Sequence, residues 1–384
     1  MPPIVGVIGG GQLARMMIPA AVNLGVELRV FAETEGSPAA LAATAVGDYR
    51  DIDAVLAFAS DVDVVTFDHE HVPQEVLAAL VAHNVVVRPG PGALIFAQDK
   101  LRMRARLSEL GLPVPDWAPV TNQNDLQNFL DTHNGRAVVK TARGGYDGKG
   151  VRVVSGAKEV EDWLAAGLDL LVEELVEFRR ELAQLVARRP AGEIVAWPIV
   201  ESLQREGVCA EVIAPAPQSA GRLADVASDV AHTIAEQLDV TGVLAVELFE
   251  TVDERLLINE LAMRPHNTGH WSIDGATTGQ FEQHLRAVLD LPLGATGCRD
   301  RWSVMVNVLG GPIGDTLAAR YPLALAHQPT VKTHNYAKES RAGRKVGHVT
   351  AGGDDLDQVV WQARSAADLL AGLPMMPAVG DDEN

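Results

Sequence analysis

An α/β fold is what the sequence predicts, with a doubly wound, mostly parallel sheet at the N-terminus and a small β-rich unit at the C-terminus. Three observations carry that reading. Short apolar runs alternate with helical patterns over about the first 95 residues, the rhythm of βαβ units. Two stretches dense in Pro or Gly, Gly111–Val120 and Leu291–Gly297, interrupt the pattern as connections do. At roughly 100–200 residues per domain, a chain of 384 residues asks for two or three domains. The expected boundaries are residues 1–96, 97–296 and 297–384.

The elements follow in order. Ile4–Ile8 is a short apolar strand that runs into Gly9-Gly10-Gly11. Leu13, Met16, Met17 and Ala20 then recur at helical spacing, and Gly25 is the stop. Val26–Ala32, Val62–Phe67 and Val85–Val87 read as the next three strands, with helical segments between them. Beyond the first connection, Arg136–Lys140, Val151–Val154 and Leu170–Glu174 read as strands around a Gly-rich loop. Val243–Phe249 and Arg255–Leu261 flank a polar turn, and Gly279–Leu291 is helical. From Arg301 the pattern is mostly β, with a helix near Leu356–Leu370. The last residues, Gly380–Asn384, are expected to fray.

Composition limits the partners. Lys and Arg number 32 against 51 Asp and Glu, a formal net charge of −19, which disfavours nucleic acid and anionic membrane surfaces. No stretch approaches the roughly 18 apolar residues of a membrane span. The N-terminal stretch MPPIVGVIGGG has no basic n-region, and Gln12 and Arg15 interrupt its apolar run, so no secretory signal is expected. Two cysteines, Cys209 and Cys298, are too few for a disulfide framework and lack metal-ligand spacing. A cytoplasmic enzyme is the expectation.

The first glycine loop has two readings. Gly9-Gly10-Gly11-Gln12-Leu13-Ala14 fits the dinucleotide fingerprint, and Glu33 after the second strand stands where a ribose-binding acid would. The alternative is a tight βα turn that needs small residues. Under either reading, the N–H groups opening the helix offer a site for an anion. The second loop, Lys140-Thr141-Ala142-Arg143-Gly144-Gly145-Tyr146-Asp147-Gly148-Lys149-Gly150, departs from the Walker pattern at Arg143 and Gly150. Its glycines and basic residues suit a loop over phosphates, the other reading being a hairpin turn.

A symmetric turn between Asp253 and Glu254 would set Glu247 directly opposite Glu260, with Cβ atoms about 5 Å apart. Like charges so placed repel unless a cation lies between them, and Mg²⁺ is the hard cation that joins carboxylates to phosphates. A solvent-facing pair is the alternative. Arg264 continues the face of Glu260. Between Lys332 and Lys345 stand Lys332, Lys338, Arg341, Arg344 and Lys345 against the single acid Glu339. In so acidic a chain that cluster suits a phosphorylated ligand, with a polyanionic protein partner as the competing explanation.

A lysine-ended strand, GGYDGKG, VEELVEFRRE, and then a Glu and an Asn-Glu on successive strands together resemble the ATP-grasp superfamily. The strings GGYDGKG, INELAMRPHNTGHW and AGRKVGH are similar to those of its 5-(carboxyamino)imidazole ribonucleotide synthase family, and the likeness runs from GGGQLARM to AGRKVGHV. It implies an N-terminal α/β domain, a central ATP-grasp and a small C-terminal domain. It also implies a ligase of purine biosynthesis that uses ATP, bicarbonate and 5-aminoimidazole ribonucleotide, with Mg²⁺ as cofactor (Mn²⁺ as a substitute), as a homodimer.

Residue by residue, the resemblance puts Lys100 and Lys140 on ATP and Gly145, Tyr146, Asp147, Gly148, Lys149, Gly150 and Val151 over its phosphates. Glu173, Glu174, Leu175 and Val176 would present backbone to the adenine edge, and Glu181 would hold the ribose. Gln204 and Asn259 would sit beside the nucleotide, and Glu247 and Glu260 would hold the metal. Arg264, His266 and Asn267 would line the reacting centre, His266 as base or as orienting residue. Gln12 and Leu13 would meet the phosphate of the ribonucleotide, Glu70 its ribose, and Lys338, Arg344 and Lys345 its charge. Four positions depart from the family's usual residues: Gln204 for a His, Asp68 for a Glu, Met263 for a Pro and Thr268 for a Ser. A formate-using glycinamide ribonucleotide transformylase, a non-catalytic ATP-binding regulator and an NAD-dependent dehydrogenase are the rival readings; the last leaves GGYDGKG and the two glutamates without a task.

Overall fold

The computed structural model describes residues 2–145, 150–205, 207–310 and 316–374. The expected fraying at Gly380–Asn384 lies outside them. The N-terminal sheet is parallel, in the order Ala43–Val46, Glu27–Ala32, Ile4–Ile8, Val64–Phe67. Helix Gln12–Leu24 leaves the glycine triplet and stops at Gly25, whose φ of 66° is the left-handed cap that glycine supplies without strain.

One strand differs from expectation. Val85–Val87 makes only a single bridge, Val87 to Val65, because Pro89 has no N–H to continue a ladder and Gly90-Pro91 opens helix Pro91–Gln98. The fourth place in the sheet is taken by Ala43–Val46. Its small, half-exposed residues carry no apolar run to announce it.

A second sheet is antiparallel, in the order Trp117–Val120, Leu170–Glu174, Ala137–Thr141, Val151–Val154. The Pro-dense connection therefore ends as a strand, at the sheet edge, where Pro119 costs no ladder bond. The third and largest sheet runs Leu256–Ala262, Gly242–Thr251, Phe178–Arg188, Val200–Arg205, Val208–Ala214, Trp302–Leu309, Lys345–Gly353, Lys332–Asn335, with Ile194–Ala196 on a side branch. Trp302–Leu309 pairs antiparallel with Val208–Ala214, so the C-terminal strands extend the central sheet instead of forming their own.

One apolar core spans the first two parts, joining Val65, Phe67 and Leu94 to Leu244, Leu248 and Ile258. Polar ties add to it. Thr66 Oγ1 lies 2.8 Å from His284 Nε2, and Arg15 ties the first part to the third by donating to Asn335 O at 2.9 Å. The walls of the cleft between these parts are thereby fixed relative to one another.

Candidate active site

A single cleft of about 1970 Å³ runs from the first glycine loop to the second. It exceeds the roughly 300–1,000 Å³ of a one-ligand pocket and has room for a nucleotide and a second phosphorylated molecule. Every expected site residue among the described ones lines it, except Gly150. Gly150 sits at the loop's root with φ +72°, where its carbonyl accepts from Thr141 N–H. Tyr146, Asp147, Gly148 and Lys149 lie outside the described residues.

At the first loop the glycines answer to packing. A Cβ on Gly9 would meet Asp68 and His69, one on Gly10 would meet Ala32 and Ser37, and one on Gly11 would overlap the Asp68 carboxylate. Asp68 accepts the Ala14 N–H at 2.7 Å and so takes part of the helix N-terminus for itself. Glu33 accepts from Gly10 N–H at 3.0 Å and pairs with His69 at 3.0 Å. It is engaged under the loop rather than held out for a dinucleotide ribose, and the tight-turn reading prevails. Gln12 remains on the cleft, where Lys338 donates to its Oε1.

The His69 hydrogen bond, with burial opposing it and the Gly10 N–H assisting, holds the Glu33 carboxyl down to about 2. A depressed value in the folded state stabilises above the ordinary 4.5, and that stability is lost as pH falls towards 2. Glu33→Gln is expected to flatten the acid limb of unfolding across that window. At neutral pH it should cost about 1 kcal/mol, because the pair is partly solvated. An acid-unfolding profile identical to the parent's contradicts the assignment.

At the other end of the cleft, Lys140 Nζ pairs with Glu173 at 2.8 Å and donates to Asn259 Oδ1 at 2.9 Å. Arg104, fully buried, donates to the same Glu173 carboxylate and to Asn259 O at 2.7 Å. Burial works against the charged form of Glu173, but Lys140 and Arg104 outweigh it and hold the carboxyl below its usual range. The side chain of Glu173 is thus turned into a buried ion cluster, with Leu175 and Val176 beyond the strand end on the cleft wall. Arg143 is drawn away from the loop's phosphate role, since its guanidinium donates to Asp99 at 2.9 and 3.1 Å.

Glu247 and Glu260 are direct partners across the hairpin, as the spacing predicts, though the turn is centred on Asp253 and not between Asp253 and Glu254. On the turn side the ladder pairs Leu248 with Ile258, and Asn259 is the extra residue of a bulge that restores the Glu247–Glu260 register. Burial, then the charges of Glu260 and Glu181, pushes Glu247 up to about 8. Burial also raises Glu181 to about 7, against the pull of Lys140. Lys100 stands 3.4 Å from Glu260, and His266 Nε2 stands 3.5 Å from Glu247. Two carboxylates converging across one hairpin fit a divalent cation completed by substrate phosphates. Among the described residues no group of three or more His, Cys, Asp or Glu side chains is placed to hold a metal ion by itself.

Arg264 bridges the two ends of the cleft, donating to Glu70 at 2.7 Å. The other Glu70 oxygen is buried without a partner, as are both polar atoms of the Asn267 amide. Burial, then Arg264 and Lys345, keep His266 well below the usual imidazole value, so its ring is neutral. Its Nδ1 accepts from the Thr268 N–H at 3.4 Å and lies 2.9 Å from Thr268 Oγ1. Thr268 keeps the hydroxyl that the usual Ser would bring, Met263 is packed in the core, and Gln204 donates to Ser202 Oγ at 2.9 Å. Of the basic cluster, Lys338, Arg341, Arg344 and Lys345 line the cleft, while Lys332 is exposed and away from it. Sequence reasoning passed over Arg104, and gave Asp68 no role beyond a departure. Each acts on a partner far along the chain, 54 residues for Asp68 and 155 for Arg104 with Asn259.

Comparison with known proteins gives three family-model matches. They are a ribonucleotide synthetase preATP-grasp domain over residues 3–98, an ATP-grasp domain over 105–281, and a phosphoribosylaminoimidazole carboxylase C-terminal domain over 303–362. The chain is 48% identical over 377 residues to N5-carboxyaminoimidazole ribonucleotide synthase of Mycobacterium tuberculosis (strain ATCC 25618 / H37Rv), covering 96% of this chain and 88% of the relative. The N5-carboxyaminoimidazole ribonucleotide synthetase structure from Thermus thermophilus superposes with a TM-score of 0.85 at 36% identity, over 98% of this chain and 100% of that one. The Aspergillus clavatus synthase solved with ADP and 5-aminoimidazole ribonucleotide superposes with a TM-score of 0.86 at 28% identity, over 96% and 99%. No helix among the described residues is long and apolar enough to cross a membrane.

Proposed function

The chain belongs to the N5-carboxyaminoimidazole ribonucleotide synthase family, and from that premise we propose how its own residues carry the reaction. It is an ATP-dependent ligase that carboxylates 5-aminoimidazole ribonucleotide in purine biosynthesis. The observation that carries the residue assignment is the single cleft with Glu247 and Glu260 opposed at one end, the glycine-triplet helix at the other, and Arg264–Glu70 between them.

ATP takes the end lined by Lys100, Lys140, Glu173–Val176, Glu181, Gln204 and Asn259. The ribonucleotide takes the other, its phosphate near Gln12, Leu13, Lys338, Arg344 and Lys345 and its ribose on Glu70. Glu247 and Glu260 would hold Mg²⁺, which supplies charge neutralisation at the phosphates when bound. A bicarbonate oxygen attacks the γ-phosphorus and ADP leaves, giving carboxyphosphate. The ribonucleotide amine then attacks the carboxyl carbon, either of carboxyphosphate or of the CO₂ it releases; phosphate departs on both routes and takes up the amine proton. Lys140 and Arg264 stabilise charge on the transferring group, since phosphoryl transfer asks the protein mainly for position and charge. His266 takes the orienting role rather than that of base. Its Nδ1 is already an acceptor, which leaves the ring proton on Nε2 towards Glu247. A homodimer in the cytoplasm completes the proposal.

The test is phosphate release from ATP, with 5-aminoimidazole ribonucleotide present or omitted and bicarbonate or formate supplied in turn. Release should require the ribonucleotide and bicarbonate together. Release that ignores the ribonucleotide, or that needs formate, overturns the assignment.

A further inference from the structure

The segment carrying Arg264, His266 and Asn267 leaves the sheet at Ala262 and runs into the short turn Asn267–Gly269. No ladder holds it there. One side chain from outside the cleft does. Gln280, the first residue of helix Gln280–Val288, is 0% exposed and does not line the cleft. Its Oε1 accepts the His266 N–H at 2.8 Å, and its Nε2 donates to the His266 carbonyl at 2.8 Å. The same Nε2 lies 2.8 Å from His270 Nδ1, so both amide hydrogens have acceptors.

The match is that of a missing strand. His266 is extended, with φ −122° and ψ 156°, so its N–H and C=O point the same way, and a primary amide meets both as a neighbouring strand would. The amide orientation is set by this pairing, because a flipped amide would face NH₂ against the His266 N–H. Gln280 is itself fixed. Its N–H donates to Ser272 Oγ at 2.9 Å, and that hydroxyl donates to Gly269 O at 2.6 Å. Gly269 has no room for a Cβ, which would overlap the Gln280 amide and Leu185. The turn is pressed onto the glutamine.

We propose that Gln280 is a positioning residue for carboxylation: its side-chain amide sets the backbone of His266 and, through it, the placement of Arg264, His266 and Asn267 against the reacting groups. This rests on the reading that those three line the reacting centre. Loss of the amide leaves ATP and ribonucleotide their own contacts but loosens the groups between them.

The experiment compares Gln280→Leu, Gln280→Asn and Gln280→Glu with the parent and with His266→Ala, in the intact chain. It measures kcat, KM for ATP and bicarbonate, phosphate released per ribonucleotide carboxylated, and thermal unfolding. Gln280→Leu should lose about a hundredfold in kcat, the cost of a displacement near 1 Å, with KM for ATP within about threefold. Phosphate release should exceed product formation, because carboxyphosphate formed without an aligned amine hydrolyses. Gln280→Asn is too short to bridge and should resemble Leu, whereas Gln280→Glu keeps the acceptor for the His266 N–H and should recover part of kcat. Should Gln280→Leu fail to fold, the Asn and Glu variants carry the same measurements. Parental kcat with one phosphate per product, or a kcat loss matched by the unfolded fraction alone, overturns the proposal. If His266→Ala is fully active, the reading of the reacting centre fails; if it is impaired while the Gln280 variants are not, only the role of Gln280 fails.

Discussion

Glu260→Gln is expected to lower kcat by about a thousandfold or more, since one of the two carboxylates proposed to hold the metal is lost and metal charge stabilisation is worth several kcal/mol. The half-saturating Mg²⁺ concentration should rise alongside. The fold should hardly notice. The Lys100–Glu260 pair at 3.4 Å is partly exposed and worth under about 1 kcal/mol. Its loss is offset by relief of repulsion on Glu247, which burial first and that repulsion second push up to about 8. A thermal midpoint near the parent's with turnover gone is the expected combination. Turnover within tenfold of the parent, at unchanged Mg²⁺ demand, would remove Glu260 from the metal site.

Arg104→Leu should act the other way round, on stability first. Arg104 is fully buried with its charge shared between Glu173 and Asn259 O. Removing one partner from a buried ion cluster typically costs about 3–5 kcal/mol, because the remaining charge is left under-compensated. Here the cost falls at the lower end, as Lys140 still reaches Glu173 at 2.8 Å. The same change frees Asn259 and slackens Lys140, so KM for ATP should rise as well. Denaturant unfolding with and without ATP separates the two effects. A variant as stable as the parent would mean that Lys140 alone compensates Glu173.

What was legible in the sequence is local or periodic. The βα alternation, the hairpin and the helix at Leu356–Ala371 rest on patterns within a few residues, and the structure has them. The opposition of Glu247 and Glu260 was legible too, though through two offsetting errors. The turn is not symmetric about Asp253 and Glu254, and the one-residue bulge at Asn259, which no spacing reveals, corrects the register. That bulge has a use, since it accompanies the turn of Asn259 towards Lys140.

The remainder was not legible because it depends on residues brought together over long separations. The glycine triplet reads alike whether a pyrophosphate or the Asp68 side chain presses on it, and only the fold shows Asp68 and His69 there. Ala43–Val46 forms a strand because a sheet edge is available, not because its residues ask for one. Gln280 and Arg104 look like ordinary helix residues until the backbone each one holds comes into view. The acidic surplus gained meaning in the same way. Glu173, Glu181, Glu247 and Glu260 line one cleft with Lys100, Lys140 and Arg264, so this part of the charge belongs to the site and not to the surface.

On the proposed mechanism, bicarbonate attacks the γ-phosphorus in this cleft before the ribonucleotide amine is carboxylated. Mass analysis of the phosphate released during turnover with ¹⁸O-labelled bicarbonate and unlabelled ATP reads out that attack. Carboxyphosphate requires one bicarbonate oxygen to remain on phosphorus, so phosphate carrying a single ¹⁸O per carboxylated product is the expected result. Unlabelled phosphate, formed while the ribonucleotide is carboxylated, would contradict it.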